Sequence, residues 1–260
     1  MNKVTTVIEQ RGIARVCINN PIKHNAFDDQ IIQELMDAFS AIANNPDIKV
    51  MVLSSAGLNF SAGADLDWMK RMAEYSFDEN LLDSRKLAEM LKTLNFLPQI
   101  TIAQVQGAVM GGGVGLVSCC DIVIANPEAL FCLSEAKLGL VPATISPYVV
   151  AAIGARAARR YFITAEQFNV QTACQLGLVS EIAEDLAGKV EAIISKLLTN
   201  SPAAIRAAKQ LVFDVDGKVI DQQLTDYTCE IIASIRISKE GQEGLSAFLE
   251  KRKPLWTLKE

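Results

Sequence analysis

The chain has a single histidine, His24, in 260 residues, and that scarcity removes whole classes of chemistry. A Ser-His-Asp or Cys-His hydrolase would have to be built on His24, and no Gly-x-Ser-x-Gly elbow occurs anywhere. A metal centre made of imidazoles is excluded. Charge is scarce too: 21% of residues are charged, 25 basic against 30 acidic, for a net −5 and a pI near 5.1. Such a balance lacks the concentrated basic field that phosphate backbones demand, so no nucleic-acid partner is expected. The six cysteines form no C-x-x-C pair and no repeated spacing, which reads as buried reduced thiols in a cytoplasmic protein. No basic segment followed by an apolar run opens the chain, so no signal peptide is expected.

Hydrocarbon is abundant. Apolar residues make up 50% of the chain, which excludes disorder and leaves a surplus that oligomerisation or a large ligand would cover. The length suffices for one large α/β or barrel-type domain or for two smaller ones. Nothing between Lys92 and Asp121 carries a charge, so this stretch imitates a membrane span. It contains Pro98, three glutamines and five glycines without basic flanks, and a buried strand followed by a packed helix fits it better. An enzyme of this composition working near neutral pH would draw its base from a carboxylate whose pKa is raised by its surroundings.

Two alternating runs, Val4 to Gln10 and Ile13 to Asn19, flank Arg11-Gly12 as a β-hairpin. Phe27 to Ala43 reads as an amphipathic helix, Lys49 to Ser54 as a buried strand, and Asp78 to Phe96 as a second helix. Ile100 to Val105 and Ile122 to Ala125 are further strands, separated by the glycine-rich 107–115 segment and a helix to about Cys120. Strands alternating with long helices predict parallel β-α-β units. From about Glu181 the strand signal stops, and Val190 to Leu198, Pro202 to Val212, Gln222 to Ile237 and Glu240 to Leu249 read as helices. The expected organisation is a β/α core over residues 1–197 and a helical C-terminal region over 198–260, with no internal repeat.

Three segments carry candidate chemistry. Ser61-Ala62-Gly63-Ala64-Asp65-Leu66 and Gly107 to Gly115 each run from strand to helix, with small residues that let a ligand approach the backbone. Either alone is equally readable as a tight turn. Neither has the glycine spacing of a dinucleotide fingerprint or the Lys-Ser/Thr of a P-loop. Together they suggest two peptide N–H groups offered to one oxygen, an oxyanion hole suited to an enolate or a tetrahedral thioester intermediate. In Phe131 to Leu140, Glu135 sits among apolar and small residues, where a carboxyl group would have a raised pKa and could both take and give a proton. A Glu135–Lys137 pair or a helix cap is the alternative.

The ordered motifs NAF (Asn25 to Phe27), FSAGADL (Phe60 to Leu66), GAVMGGGVGL (Gly107 to Leu116), CDI (Cys120 to Ile122), SEAKLGL (Ser134 to Leu140) and FLEKRKP (Phe248 to Pro254) resemble the crotonase, or enoyl-CoA hydratase/isomerase, family over essentially the whole chain. Leu66 to Ala73 and Cys132 to Val150 look most like the branch that hydrates methylglutaconyl-CoA and related branched, carboxylated enoyl-CoA esters of leucine catabolism. The resemblance implies an α/β fold with a repeated β-β-α core and a helical C-terminal trimerisation region. It implies a hydratase acting on a coenzyme A thioester without a separate cofactor, in a homotrimer or a pair of trimers. The thioester oxygen would be held by the N–H groups of Ala64 and Gly112, and the coenzyme A by Ala26, Ala62, Ala64, Asp65, Leu66 and Gly112.

One departure bears on the reaction. Two-glutamate hydratases of the family carry a second glutamate where this chain has Gly115, while the other family glutamate is retained as Glu135. Glu135 would then hydrate alone through an ordered water, or the protein would be a Δ3,Δ2-enoyl-CoA isomerase, or a non-catalytic acyl-CoA- or RNA-binding member. Arg85, Lys70 and Arg71 are the basic candidates for a distal substrate carboxylate, and solvated helix charges are their alternative reading.

Overall fold

A computed structural model describes residues 2–257. The hairpin forms as expected, β1 (Val4–Glu9) running antiparallel to β2 (Ile13–Ile18). Asp28 then caps α1 (Asp29–Ala43) by accepting from the Ile31 N–H, so this helix begins two residues later than the apolar periodicity suggests. β3 (Val50–Ser55), α2 (Leu66–Glu74), α3 (Phe77–Asn95) and β4 (Ile100–Val105) follow. Next come β5 (Ala108–Met110), α4 (Gly112–Ser118), β6 (Ile122–Ala125) and β7 (Leu130–Cys132). The second half holds α5 (Ser146–Thr164), β8 (Phe168–Asn169), α6 (Val170–Gln175), β9 (Glu181–Ile182), α7 (Leu186–Leu198), α8 (Pro202–Val215), α9 (Gln222–Ile237) and α10 (Lys239–Leu249).

The main sheet has the order β1-β2-β3-β4-β6-β9, parallel throughout except for the opening hairpin. Its strands are apolar on both faces because both are covered. Ala14, Val16, Met51, Leu53, Ala103 and Val105 point into the larger core, shared with α1, α3 and α4. The alternate residues Ile13, Val50, Val52, Ile102 and Ile124 meet Val190, Ile193 and Ile194 of α7. A second small sheet, β5-β7-β8, carries the segments around the site.

Two expectations shift. A short edge strand, β9, extends the sheet at Glu181, where the strand signal had run out. Helix α7 starts at Leu186 rather than Val190, since Asp185 caps it through the Gly188 N–H. The charge-free stretch resolves into β4, β5 and α4, and among the described residues no helix is long and apolar enough to cross a membrane. Residues 258–260 of the expected C-terminal region, and Met1, lie outside the described residues.

Helix α8 has no fully buried residue, yet a polar anchor fixes it to the sheet. Lys209 Nζ lies 2.8 Å from Asp121 Oδ2 and 3.0 Å from the Gln99 carbonyl, with its side chain 8% exposed. The same carboxylate accepts from the Thr101 N–H and hydroxyl at the start of β4. Removing one partner of a buried pair strands the other, a cost that partial exposure of Asp121 reduces. Lys209→Met is expected to lower the unfolding free energy by about 2 kcal/mol in urea titration. An unshifted midpoint would show that α8 is held by other contacts.

Candidate active site

Three loops meet at the ends of the parallel strands, where open α/β sheets place ligands. Asn25, fully buried and at φ 55°, a conformation asparagine tolerates, ties the first of them down. Its side-chain amide donates to the Ala56 and Asn59 carbonyls and accepts from the Asn20 N–H. Asn59 in turn accepts from the Ala108 N–H and lies 3.1 Å from His24 Nδ1. His24 is therefore part of the loop scaffold. Gly107 sits at the crossing of two loops with φ 59°, where a Cβ would come within 2.1 Å of the Leu58 carbonyl oxygen, so no other residue fits.

The 61–66 segment bends at Gly63, φ 92°, and alternates in burial up to the start of α2. Ser61, Gly63 and Asp65 are buried, whereas Ala62, Ala64 and Leu66 face outward. Phe27 pairs with it as a parallel bridge opposite Ala64: the Phe27 N–H donates to the Gly63 carbonyl and the Asp65 N–H to the Phe27 carbonyl, both at 2.7 Å. The N–H of Ala64 is left pointing away, with no protein acceptor among the described residues. Gly112, the first residue of α4, likewise has an N–H beyond the reach of intrahelical bonding. The ring of Phe27 packs on Gly112, with two ring carbons 3.3 Å from where a Cβ would stand. One residue thus braces both amide donors, by its backbone on one side and its ring on the other.

Glu135 begins a short 3-10 turn, Glu135–Leu138, and its Oε1 lies 3.1 Å from the position a Cβ would take on Gly111. Gly111 has φ 50°, and its N–H is bonded to the Cys132 carbonyl, so backbone alone faces the carboxyl group there. Oε2 is buried without a protein hydrogen-bond partner, and Glu135 makes neither the Lys137 ion pair nor a helix cap among the described residues. Burial pushes the Glu135 pKa up, against a smaller opposing hydrogen bond from its own backbone. The site therefore places a carboxyl group of raised pKa against Gly111, next to the free amide of Gly112, and Phe27 connects Gly112 to the free amide of Ala64.

The expected residues divide. Glu135 lies against Gly111, the neighbour of Gly112, and Phe27 links Gly112 to Ala64, while Ala62 and Leu66 are exposed as Ala64 is. Ala26 is buried inside its loop. The Asp65 carboxylate is committed to protein: it caps α2 through the Asp67 and Trp68 N–H groups and pairs with Lys23 at 2.8 Å. Burial opposes its charge, but Lys23 and those amides outweigh it and hold its pKa below the ordinary value. Among the basic candidates, Arg71 is bound to Asp29 and Lys70 to Asp67, while Arg85 is exposed with no side-chain partner among the described residues. Reading the sequence missed Phe27 and Asn25 as the braces. An asparagine followed by a large apolar residue beside a turn was their only signal.

Two backbone amides without a protein acceptor, both braced by Phe27, near a carboxyl group of raised pKa are an arrangement chemically suited to carbonyl compounds that react through enolates or related anions. Sequence comparison gives the lineage. The profile described as enoyl-CoA hydratase/isomerase matches residues 8–259, and the chain belongs to that family. It is 30% identical over 251 residues to the 2,3-dehydroadipyl-CoA hydratase of Escherichia coli, covering 95% of this chain and 96% of that one. A crystal structure of an enoyl-CoA hydratase from Shewanella pealeana superposes with a TM-score of 0.95 at 46% identity, over 98% of this chain and 96% of that one. An enoyl-CoA hydratase/isomerase from Marinobacter aquaeolei superposes with a TM-score of 0.92 at 32% identity, over 99% and 100%.

Proposed function

We propose that the protein hydrates the α,β double bond of an enoyl-CoA thioester, with Glu135 as the acid and base and the N–H groups of Ala64 and Gly112 holding the thioester oxygen. The observation that carries this reading is the Glu135 carboxyl, whose buried Oε2 has no protein partner among the described residues, near two free amides. The Glu135 carboxylate takes a proton from water as the water oxygen bonds to C3. The C2=C3 electron pair moves onto the thioester oxygen, giving an enolate that the two amides stabilise. Glu135, now protonated, returns that proton to C2, the carbonyl re-forms and the carboxylate is regenerated. One water has been added and nothing else consumed.

A branched, carboxylated substrate of the 3-methylglutaconyl type suits the site. A family relative is named for a carboxylated enoyl-CoA, and Arg85 on α3 is an exposed cation with no ion pair among the described residues. Assembly as a trimer or paired trimers is supported by exposed Val212, Ile220, Ile237, Phe248 and Leu249 on and around α8 to α10.

The test is incubation with a panel of thioesters, straight-chain crotonyl-CoA and 3-methylglutaconyl-CoA among them, with mass detection of water addition. Gain of one water supports the hydratase, and preferential gain on the diacid supports the substrate class. Shifting of a 3-enoyl-CoA to the 2-enoyl form without water addition would establish the isomerase instead. Arg85→Gln is expected to raise KM for the diacid about tenfold while leaving crotonyl-CoA unaffected, the value of one charge-assisted hydrogen bond at an exposed position.

A further inference from the structure

The glycines of α4 are each filled from outside by a different neighbour. Gly111 faces the Glu135 carboxyl, Gly112 the Phe27 ring, Gly113 the Ser61 side chain, and Gly115 the side chain of Ile145. The last contact is the tightest. A Cβ on Gly115 would lie 2.3 Å from Ile145 Cγ2 and 2.9 Å from its Cβ, with Leu91 Cδ2 at 3.6 Å behind. Ile145 is itself buried at the N-cap of α5 and carries core packing on its other sides. Gly115 donates to the Gly111 carbonyl, so the two glycines stand one helical turn apart. Side chains four apart on a helix have their Cβ atoms about 5–6 Å from each other. A side chain at 115 would therefore start one helical turn from the Gly111 backbone that faces the Glu135 carboxyl.

We propose that Ile145 is a specificity-determining residue of this site: by filling the space in front of Gly115, one turn along α4 from the Glu135 carboxyl, it excludes a second carboxyl group and confines proton transfer to Glu135. This rests on the function proposed above, which it deepens by fixing the number of proton carriers. Ile145 and Gly115 form one unit across α4 and α5. A carboxylate enters at 115 only if the side chain at 145 leaves. With one titrating carrier, kcat/KM rises with pH along a single limb and then stays level over the acidic and neutral range.

Two variants and a thermal cycle test it. Gly115→Glu alone is expected to lose several degrees in Tm and to gain no new pH limb. Gly115→Glu combined with Ile145→Gly moves the side chain from one side of the contact to the other. It is expected to recover much of that Tm and to convert the profile for crotonyl-CoA hydration into a bell, as a second carboxyl begins to titrate. A Gly115→Glu protein with wild-type Tm and a bell-shaped profile would overturn the proposal. So would a folded double variant that keeps the single limb. Should the double variant not fold, Gly115→Ala is measured in the wild-type and in the Ile145→Gly background. A Tm loss in the first that disappears in the second supports the plug, and equal losses in both refute it. If the wild-type protein hydrates no thioester of the panel, the functional reading fails on its own account, while this Tm cycle still reports on Ile145.

Discussion

Glu135→Gln is expected to lower kcat for hydration by about 10²- to 10⁴-fold, the usual contribution of a positioned acid-base group, while leaving the affinity for an unreactive acyl-CoA nearly unchanged. The same change is expected to raise Tm at neutral pH. Burial raises the Glu135 pKa above the ordinary glutamate value of 4.5, so the folded protein holds this proton more tightly than the unfolded chain does. Where the native state binds more protons, stability falls as pH rises, here from about the unfolded value up through the raised folded one. Above that window the wild-type protein carries a buried charge that the amide does not. The stability gain of Glu135→Gln should therefore be full above the raised folded pKa and shrink on acidification toward the ordinary glutamate value. Activity follows the opposite course. Hydration needs the carboxylate to accept the first proton, so kcat/KM declines as pH falls through the Glu135 pKa, with a midpoint above 4.5. Unchanged turnover in Glu135→Gln would remove Glu135 from the mechanism.

The opposed effects on rate and stability mark Glu135 as a group kept for chemistry. An exposed or ion-paired glutamate would show neither. Composition makes Glu135 visible as a carboxyl among Phe131, Leu133, Leu138 and Leu140, but with Lys137 two residues on the segment also reads as an ion pair or helix cap, and the family resemblance is what points to chemistry. The core strands were legible from composition. Ile100 to Val105 and Ile122 to Ala125 fall where the apolar runs put them, since strands buried on both faces are mainly apolar throughout, with only Thr101 and Gln104 interrupting. Helix α9 likewise has the bounds its pattern indicates.

What was not legible depends on partners distant in sequence. The strands β5, β7 and β8 are two or three residues long and exist only because they pair with one another across the chain. Helix α5 bends at Gly154, where φ 75° and ψ 153° interrupt the helix, so its apolar period is broken midway. Gly115 could be seen to lack a side chain, but not that Ile145, thirty residues on, supplies the atoms in its place. The alternation of buried and exposed residues through 61–66 was equally hidden. It turns Asp65 inward to cap α2 and leaves Ala62, Ala64 and Leu66 facing the ligand side. A turn-and-cap segment of small residues carries no hydrophobic period from which that could be read.

Phe27→Ala is expected to produce the largest combined loss. The ring is 3% exposed and packed in the main core, and truncating such a phenylalanine costs about 3–5 kcal/mol, visible as a lower urea midpoint. The catalytic effect should exceed what partial unfolding explains. The Phe27 backbone holds Gly63 and Asp65 on either side of the Ala64 amide, while its ring presses on Gly112, so the distance between the two oxyanion donors passes through this one residue. Alanine keeps the backbone half of the brace and loses the ring, leaving α4 free to shift against the 61–66 segment. Loss of one oxyanion donor costs about 10²- to 10³-fold in kcat, and a misplaced donor approaches that limit. Phe27→Leu, which restores most of the volume against Gly112, should recover more of kcat than of KM. The check with the least dependence on stability is the carbonyl stretch of bound ¹³C-labelled butyryl-CoA, measured by difference infrared spectroscopy at a temperature where each variant is folded. The wild-type protein should lower that frequency, Phe27→Ala should return it toward the value in water, and Phe27→Leu should fall between. A frequency that stays at the wild-type value in Phe27→Ala would mean that Ala64 and Gly112 keep their spacing without the ring.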